Sequence, residues 1–197
     1  MSAMPKDQHM NEAEYLAFER DSEFKHEFID GQIYAMLGAS PNHNLIVVST
    51  IASLYSQLRG KGCKTYPSDL KVRTPSTRSY VYPDITVVCG DPQFDDDQGD
   101  VLLNPTVVIE VLSPNTEAYD RGKKFERYRE IASLQEYILG AQDQPHIERF
   151  LRQENGVWHF SDTHGLDGKM ALSSIGCQLE LQAVYEQVTF EPEQDGD

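Results

Sequence analysis

The order of apolar and polar residues predicts a helix and then a hairpin near the start of the chain. Apolar and aromatic residues stand among acidic ones over residues 11–20, a pattern typical of a short helix with one buried side. The following segment HEFIDGQIYAML places Asp30 and Gly31 between two β-prone runs. Because an Asp-Gly pair in this position favours a two-residue turn, we expect a β-hairpin centred on these residues.

The strongest helix signal lies in the segment SPNHNLIVVSTIASLYSQLRGKG. Its apolar residues recur at three- and four-residue intervals, Ser40 can cap the first turn, and Gly60 or Gly62 can end the helix. Serine and glutamine side chains occupy the opposite side of this helix. The stripe that the spacing predicts to be buried consists of Leu45, Val48, Ile51, Ala52, Tyr55 and Leu58.

From Cys63 onward the apolar residues alternate with a period of two, which is typical of strands. Three strands are predicted in the segments CKTYPSDLKVRT, YVYPDITVVC and PTVVIEVLS, with an acidic loop over residues 91–100 between the last two. Each of the last two segments also carries one acidic residue, Asp84 in the first and Glu110 in the second.

A second helix is predicted in the segment TEAYDRGKKFERYREIAS, with Phe125, Tyr128 and Ile131 or Ala132 on its buried stripe. Strands are predicted again in LQEYILGA, HIERFLRQ and GVWHFSD, and LELQAVYEQVTF closes the chain as a strand or a helix. This order of elements predicts a mixed sheet flanked by helices, in an α/β or α+β sandwich.

The length and composition indicate one soluble domain. A chain of 197 residues with 39% apolar residues can build a single core. We assign residues 1–10 to a flexible leader, residues 11–190 to the domain and residues 191–197 to an acidic tail. No run of 18 apolar residues and no apolar signal-peptide core is present, so we expect no membrane association and a cytoplasmic location.

Cysteine and histidine spacing predicts neither a disulfide nor a zinc site. The three cysteines lie far apart in the sequence and form no Cys-x-x-Cys pair. His43 stands at the start of the predicted long helix, where a polar residue is common, and the other histidines show no ligand spacing. We therefore expect structural roles for His26, His43, His146, His159 and His164.

The net charge of −15 argues against tight, sequence-independent binding of nucleic acid, which depends on Lys and Arg. The charge is uneven, however, because residues 91–100 and 191–197 hold nine acidic residues and no basic one. Residues 57–78 are rich in Lys and Arg instead. The part of this stretch from Arg59 to Arg78 is a candidate rim for a phosphate-bearing substrate.

Asp84 and Glu110 are the candidate chemical residues. Alternation puts Glu110 on the same face as Val108 and Leu112, where an unpaired carboxylate is costly to bury. Two converging carboxylates repel each other unless a cation lies between them, and Mg²⁺ and Mn²⁺ prefer such oxygen ligands. The structural alternative is that Asp84, which follows a proline, is an ordinary turn residue.

A basic residue for this site can come from the helix that follows Glu110. Lys123 and Lys124 are both candidates, and such a lysine can orient or deprotonate an attacking water and offset charge on a phosphate. The structural alternative is that Lys124 forms a surface pair with Asp120, one turn earlier.

Three segments of the chain carry a specific resemblance. YPDITVVCG, VVIEVLSPNTEAYDRGKKFERYREIASLQEYIL and HEFIDGQIYAML closely resemble the Uma-two family of predicted restriction-type endonucleases, across residues 14–190. The resemblance implies the PD-(D/E)xK nuclease-like fold, a restriction endonuclease-like mixed central β-sheet flanked by helices.

The same resemblance assigns candidate roles to individual residues. It implies Asp84 and Glu110 as metal ligands, joined by the carbonyl of Val111, and Glu27 as an additional or neighbouring ligand. Many nucleases of this fold carry the lysine two residues beyond the acid, where this chain has Leu112. The family pattern moves the lysine to the following helix, at Lys124, and the adjacent Lys123 leaves that assignment open.

The main hypothesis is therefore a magnesium- or manganese-dependent endonuclease that hydrolyses DNA, with RNA as an alternative substrate. We expect a homodimer, because cutting both strands needs two sites and two-fold dimers are the commonest oligomers. The rival hypothesis is a catalytically inactive binding or assembly module that keeps the nuclease fold. The acidic balance and Leu112 favour this rival.

Overall fold

The computed structural model describes residues 9–75 and 79–190, and most of the predicted elements are present there. The helices are α1 (Glu12–Asp21), α2 (Pro41–Leu58), α3 (Glu117–Tyr119), α4 (Phe125–Tyr128) and α5 (Leu181–Val184), with a π-helical turn (Asp120–Lys124) joining α3 to α4. The predicted leader lies outside the described residues except for residues 9 and 10, and the predicted tail of residues 191–197 lies wholly outside them.

Thirteen strands are found in the described residues. They are β1 (His26–Ile29), β2 (Gln32–Ala35), β3 (Cys63–Pro67), β4 (Lys71–Thr74), β5 (Ser79–Val81), β6 (Ile85–Cys89), β7 (Val101–Leu102), β8 (Val107–Val111), β9 (Glu136–Gly140), β10 (His146–Arg152), β11 (Trp158–His164), β12 (Lys169–Leu172) and β13 (Cys177–Glu180).

Local sequence accounts for the hairpin and for the first turns of the two long helices. Asp30 and Gly31 both have positive φ, 52° and 82°, as a two-residue hairpin turn requires, so the predicted hairpin β1–β2 is confirmed. Asn11 and Glu14 form a capping box at the start of α1. The Oγ atom of Ser40 accepts a hydrogen bond from the backbone N–H of His43 and caps α2, as predicted.

The buried face of α2 differs from the prediction. Ile46, Thr50, Leu54 and Leu58 are buried, spaced four residues apart. Of the predicted stripe only Leu58 is among them, whereas the side chains of Val48 and Tyr55 are 65% and 67% exposed. Because α2 carries apolar residues on more than one side, its sequence does not decide which row faces the sheet.

The largest sheet has six strands in the order β11-β10-β9-β8-β6-β3. Only β8 and β9 are parallel neighbours among its described strands, and the other pairs are antiparallel. A second sheet has the order β2-β1-β5-β4-β7, and β12 pairs with β13. The fold is thus a mixed α+β arrangement of sheets flanked by helices, as predicted.

Two of the predicted strands are each divided between the two large sheets. CKTYPSDLKVRT forms β3 of the six-stranded sheet and β4 of the five-stranded sheet, with a turn between them closed by Leu70 N–H and Pro67 C=O at 3.5 Å. YVYPDITVVC forms β5 and β6 in the same way, and the chain changes sheets at Pro83. The prediction of single strands was wrong because proline, which has no N–H, interrupts a ladder in both segments.

Each face of the six-stranded sheet has its own core. On one face, Val87, Ile109 and Ile138 pack against α2, α5 and the small sheet. On the other face, Val108 and Tyr137 pack against Tyr128 of α4 and residues of the five-stranded sheet. Strands β6 and β8 are therefore apolar on both faces, and any carboxylate in them must be stabilised by partners.

Cys63 and Cys89 form a disulfide, so the prediction that the cysteines form none was wrong. The two residues lie opposite each other on the antiparallel strands β3 and β6. Their distance along the sequence therefore hides their proximity in the sheet. Cys177 is a free, buried cysteine. Within residues 9–75 and 79–190, no helix has both the length and the apolar character needed to cross a bilayer.

Candidate active site

A pocket of about 630 Å³ opens where β8 ends and β6 begins. Its wall also includes the start of α2, the loop before β1 and the π-helical turn. Asp84 directly precedes β6, and the pairing of Ile85 with Ile109 brings it alongside Glu110 of β8. Both acidic residues line the pocket, so the change of sheet at Pro83 is what places Asp84 there.

Asp84 is held by two neighbours. Its Oδ2 atom accepts a hydrogen bond from the backbone N–H of Val111 at 2.7 Å, and it lies 3.1 Å from Nε2 of His43. The side chain of Asp84 is 16% exposed. These contacts fix one carboxylate oxygen of Asp84, and the side chain still faces the pocket.

Glu110 is buried among polar groups. Its Oε1 atom lies 2.8 Å from Nζ of Lys124 and accepts a hydrogen bond of 2.9 Å from the hydroxyl of Tyr128. As alternation predicts, its side chain shares a face with Val108 and Leu112, whose side chains pack in the core around Tyr128. The helical segment after β8 therefore supplies both partners of this carboxylate.

Two further carboxylates surround the ammonium group of Lys124. Oε1 of Glu27 lies 3.6 Å from Nζ and Oδ1 of Asp120 lies 3.7 Å from it. Glu27 accepts a hydrogen bond from the backbone N–H of Tyr82 at 3.1 Å, while its Oε2 atom is buried without a partner. Three buried carboxylates thus share one ammonium group, and Asp84 adds a fourth carboxylate to the pocket.

The pKa values of these groups follow from burial and from this excess of negative charge. Burial raises the pKa of the Glu110 carboxyl well above its usual range, and the charge of Asp84 adds to the effect. Burial also raises the pKa of Glu27. Burial alone would lower the pKa of Lys124, but Glu110 and Glu27 outweigh it and raise that pKa, so the lysine stays charged.

The two candidate lysines occupy different environments. Lys124 is buried in the pocket, whereas Lys123 is exposed and is not part of the pocket wall. Lys124 follows Asp120 by four residues and precedes Tyr128 by four, so all three side chains point toward the pocket side of the helical segment. The surface pair considered for Asp120 and Lys124 is in fact a buried contact.

Sequence reasoning missed three participants. His43 was assigned a structural role but contacts Asp84. Asp120 was considered only as a surface partner of Lys124, and Tyr128 only as a core residue. The four-residue spacing of Asp120, Lys124 and Tyr128 was available as a signal, whereas His43 reaches Asp84 across 41 residues of sequence and leaves no local signal.

The basic stretch predicted as a substrate rim lies elsewhere. Among its described residues, Arg59 to Pro75, none of the Lys or Arg side chains lines the pocket. Lys71 is buried against Asp100 at 2.9 Å, and Arg73 pairs with Asp95 and Glu12. Arg78 lies outside the described residues. Acidic side chains thus neutralise Lys71 and Arg73, whereas Arg59 and Lys64 are exposed away from this pocket, so the role of the stretch as a substrate rim stays a prediction.

The pocket has the donor set of a site for a hard divalent cation. Oε2 of Glu27 and Nδ1 of His43 are buried there without a hydrogen-bond partner, and one ammonium group cannot neutralise four carboxylates. Mg²⁺ and Mn²⁺ bind through such oxygens. Asp84, Glu110 and Glu27 therefore supply the oxygen atoms that such an ion prefers, and their role as metal ligands stays a prediction.

Comparisons with known proteins bear on the whole domain. The model of the Uma2 family, described as "Putative restriction endonuclease", matches residues 12–183. The uncharacterized protein slr1290 of Synechocystis sp. is 38% identical over 177 residues, which cover 90% of this chain and 92% of that protein. The uncharacterized protein sll1609 of Synechocystis sp. is 32% identical over 161 residues, which cover 82% and 91%.

A solved structure has the same fold. It is the crystal structure of a "putative nuclease belonging to DUF820" from Anabaena variabilis, which superposes with a TM-score of 0.72 at 17% identity. The match covers 88% of this chain and 96% of that chain. The arrangement of sheets and helices is therefore shared over nearly the whole domain.

Proposed function

This chain belongs to the Uma2 family, and from that membership we propose that it is a metal-dependent endonuclease that hydrolyses DNA. The family and the fold support a nuclease. The observation that carries the metal dependence is the excess of carboxylates in the pocket: Glu27, Glu110 and Asp120 around one ammonium group, with Asp84 beside them.

The proposed roles follow from these contacts. Asp84 and Glu110, with the carbonyl of Val111 and with Glu27, would hold Mg²⁺ or Mn²⁺. When bound, such an ion polarises the scissile phosphate and lowers the pKa of a water molecule. Val111 N–H and His43 orient the Asp84 carboxylate, and Tyr128 orients Glu110.

Lys124 would act on the substrate through its charge. Its ammonium group stays protonated between Glu110 and Glu27, so it offers N–H donors to a water or a phosphate oxygen at the pocket. Donors fixed before the reaction stabilise developing negative charge without reorganising. Lys123, which is exposed, has no corresponding role.

The remaining expectations are part of the same proposal. A two-fold homodimer would supply one site for each DNA strand. A cytoplasmic location would keep the Cys63–Cys89 pair largely reduced, because cytosolic disulfides are rare. The fold would then have to be stable without this bond.

The test is cleavage of plasmid and single-stranded DNA with Mg²⁺ or Mn²⁺. Asp84→Asn and Glu110→Gln keep side-chain size and should each lower the rate at least about 100-fold. Lys124→Met should lower it by about 100-fold. The matched control Lys123→Met removes a neighbouring charge and should keep the parent rate. Circular dichroism checks that each variant folds, and equal cleavage by Asp84→Asn and the parent would exclude this site.

A second candidate function is a non-catalytic module that keeps the nuclease fold. Two observations favour it: Leu112 replaces the lysine found in many nucleases, and the described basic residues of the Arg59 to Pro75 stretch lie away from the pocket. Calorimetric titration with Mg²⁺ and Mn²⁺ separates the two. If the protein is a nuclease, the parent should show a heat of metal binding that Asp84→Asn abolishes. If it is a non-catalytic module, Asp84→Asn should not change the titration.

A further inference from the structure

The hairpin β10–β11 brings two histidines and an aspartate together, away from the acidic pocket. Strand β11 is at the edge of the six-stranded sheet and pairs only with β10 among the described strands. His146 of β10 lies directly opposite His164 of β11. Asp162 precedes His164 by two residues, so its side chain points to the same face. None of the three residues lines the pocket of Asp84 and Glu110.

The three potential ligand atoms converge. Oδ2 of Asp162 lies 3.0 Å from Nε2 of His164 and 3.4 Å from Nε2 of His146, and all three atoms lie within 4.8 Å of one another. In a tetrahedral zinc site with bonds of about 2.0–2.1 Å, two ligand atoms are about 3.3–3.4 Å apart. The separation of 3.4 Å already has this size and that of 3.0 Å is slightly shorter, while the nearly parallel imidazole rings would have to turn out of their stack to direct both lone pairs at one ion.

His146 has an unsatisfied nitrogen in this cluster. Its Nε2 atom is buried and makes no hydrogen bond, although Oδ2 of Asp162 is only 3.4 Å away. A buried ring nitrogen that faces a carboxylate oxygen without a hydrogen bond is unfavourable. A cation between the two atoms would satisfy both.

The neighbouring charges leave Asp162 without a permanent cation. Glu148 of β10 lies directly opposite Asp162, and like charges in that position destabilise a strand pair. Arg121 of the π-helical turn neutralises Glu148 through a 2.7 Å contact. Within the described part of the chain, Asp162 forms its ion-pair contacts with the two histidines, which carry a full charge only when protonated.

We propose that His146, Asp162 and His164 form a binding site for a divalent transition metal of the zinc class. Imidazole nitrogens with one carboxylate suit Zn²⁺, Co²⁺ or Ni²⁺, whereas Mg²⁺ and Ca²⁺ prefer oxygen ligands alone. Three protein ligands leave a further position for water or for a ligand from a partner. The bound ion joins the edge strand β11 to β10 and compensates the charge of Asp162.

Calorimetric titration of the full chain with Zn²⁺ tests the proposal, and Co²⁺ provides a visible absorption spectrum for the same site. All proteins carry Asp84→Asn, so that binding in the acidic pocket is weakened. We expect one Zn²⁺ per chain, with binding at least about tenfold weaker in His164→Ala and in Asp162→Asn. The side chain of His164 is 60% exposed, so its removal should leave the fold intact.

The matched control is His159→Ala. His159 is an exposed histidine of the same strand, but it lies on the opposite face and pairs with Leu151. The His159→Ala variant should bind Zn²⁺ as tightly as the parent does. Zn²⁺ should raise the melting temperature of the parent and of this control but not that of His164→Ala. Equal binding by all variants, or no binding by the parent, would overturn the proposal.

Discussion

The contact between His43 and Asp84 suits the histidine to a positioning role in the proposed metal site. Nε2 of His43 lies 3.1 Å from Oδ2 of Asp84, the same oxygen that accepts the N–H of Val111. The side chain of His43 is 14% exposed and sits in the capped first turn of α2. A residue that holds a metal-binding carboxylate in orientation acts on affinity and rate without touching the substrate.

We predict that His43→Ala lowers both Mn²⁺ affinity and the DNA cleavage rate about 10- to 100-fold, because Asp84 loses one of its two orienting contacts. His43→Gln, whose amide can donate to the same oxygen, should restore part of both. The measurements are calorimetric titration with Mn²⁺ and single-turnover cleavage. His159→Ala serves as the control, and unchanged Mn²⁺ affinity in His43→Ala would contradict the positioning role.

Asp100 contacts both α1 and β4 from the acidic loop. Arg20 and Lys71 hold it at 2.7 and 2.9 Å. The hydrogen bond from Arg20, opposed in part by burial and helped by Lys71, lowers the pKa of Asp100 below its usual range. A carboxyl group whose pKa is lower in the folded state stabilises the fold above its unfolded pKa of about 4, and this contribution is lost as the pH falls through the folded pKa.

We predict that Asp100→Asn lowers the free energy of unfolding by about 1–3 kcal/mol at pH 7, because it leaves the ammonium group of Lys71 buried without a charged partner. The difference between parent and variant should shrink as the pH falls below about 4, because Asp100 of the unfolded parent then takes up a proton while the folded carboxylate stays ionised to a lower pH. Urea unfolding at several pH values measures it. Asp97→Asn, an exposed change in the same loop, should stay within about 0.5 kcal/mol of the parent.

At the scale of the elements, the disulfide links β3 to β6, the strand that begins directly after Asp84. Cys63 and Cys89 are separated by 26 residues, and those residues include the passage through the five-stranded sheet. Closing a loop of this length restricts the unfolded chain by about 3–4 kcal/mol on the entropic account. The bond therefore stabilises both the sheet edge and the strand that carries one side of the pocket.

We predict that dithiothreitol lowers the melting temperature of the oxidised parent by several degrees, as a loss of this size implies. The double variant Cys63→Ser, Cys89→Ser should melt near the temperature of the reduced parent and should not respond to the reductant. Differential scanning calorimetry under both conditions measures the effect. If the reductant does not change the melting temperature of the parent, the disulfide contributes nothing to thermal stability.

The elements that the sequence predicts well are those with local causes. The hairpin β1–β2 depends on the φ angles of Asp30 and Gly31, and the start of α2 depends on the Ser40 cap, so neighbouring residues suffice. The buried row of α2 depends on the strands and helix packed against it, and the sequence of α2 alone cannot supply them. The division of two strands between sheets was signalled only by Pro67 and Pro83.

In the candidate site, too, some features follow from local sequence and others from contacts between distant segments. Asp84, Glu110 and Lys124 were selected from the sequence and the family resemblance, and the structure brings them to one pocket. The choice of Lys124 over Lys123 depends on which side of the helical segment faces Glu110. The contacts of His43 and Glu27 come from other elements, so only the folded chain reveals them.

At the scale of the whole molecule, the charge distribution limits how DNA can bind. The chain has a net charge of −15. In the described residues, the Lys and Arg side chains that line the pocket are Lys25 and Lys124. Lys25 already pairs with Asp69, and Lys124 is buried among carboxylates. A DNA strand at this pocket therefore meets few cations that are free to neutralise phosphates.

This scarcity predicts a weak dependence of DNA affinity on salt. The logarithm of the binding constant falls with the logarithm of salt concentration with a slope of about −0.9 for each phosphate neutralised in duplex DNA. With one or two such contacts, we expect a slope of about −1 to −2, against about −6 to −10 for proteins with extensive phosphate contacts. Fluorescence anisotropy of a labelled duplex measures the slope, with Asp84→Asn and fixed Mg²⁺ preventing cleavage.

The same titration distinguishes a substrate held at the pocket from one held on another surface. Lys25→Gln should make the slope shallower by about one if Lys25 contacts a phosphate, whereas Lys64→Gln, which changes an exposed lysine of β3 outside this pocket, should leave it unchanged. A slope steeper than about −5 would require a basic surface that the pocket lacks, and a second protomer would be its most direct source because a two-fold dimer presents every cation twice. Sedimentation of the protein with and without the duplex would then identify that assembly.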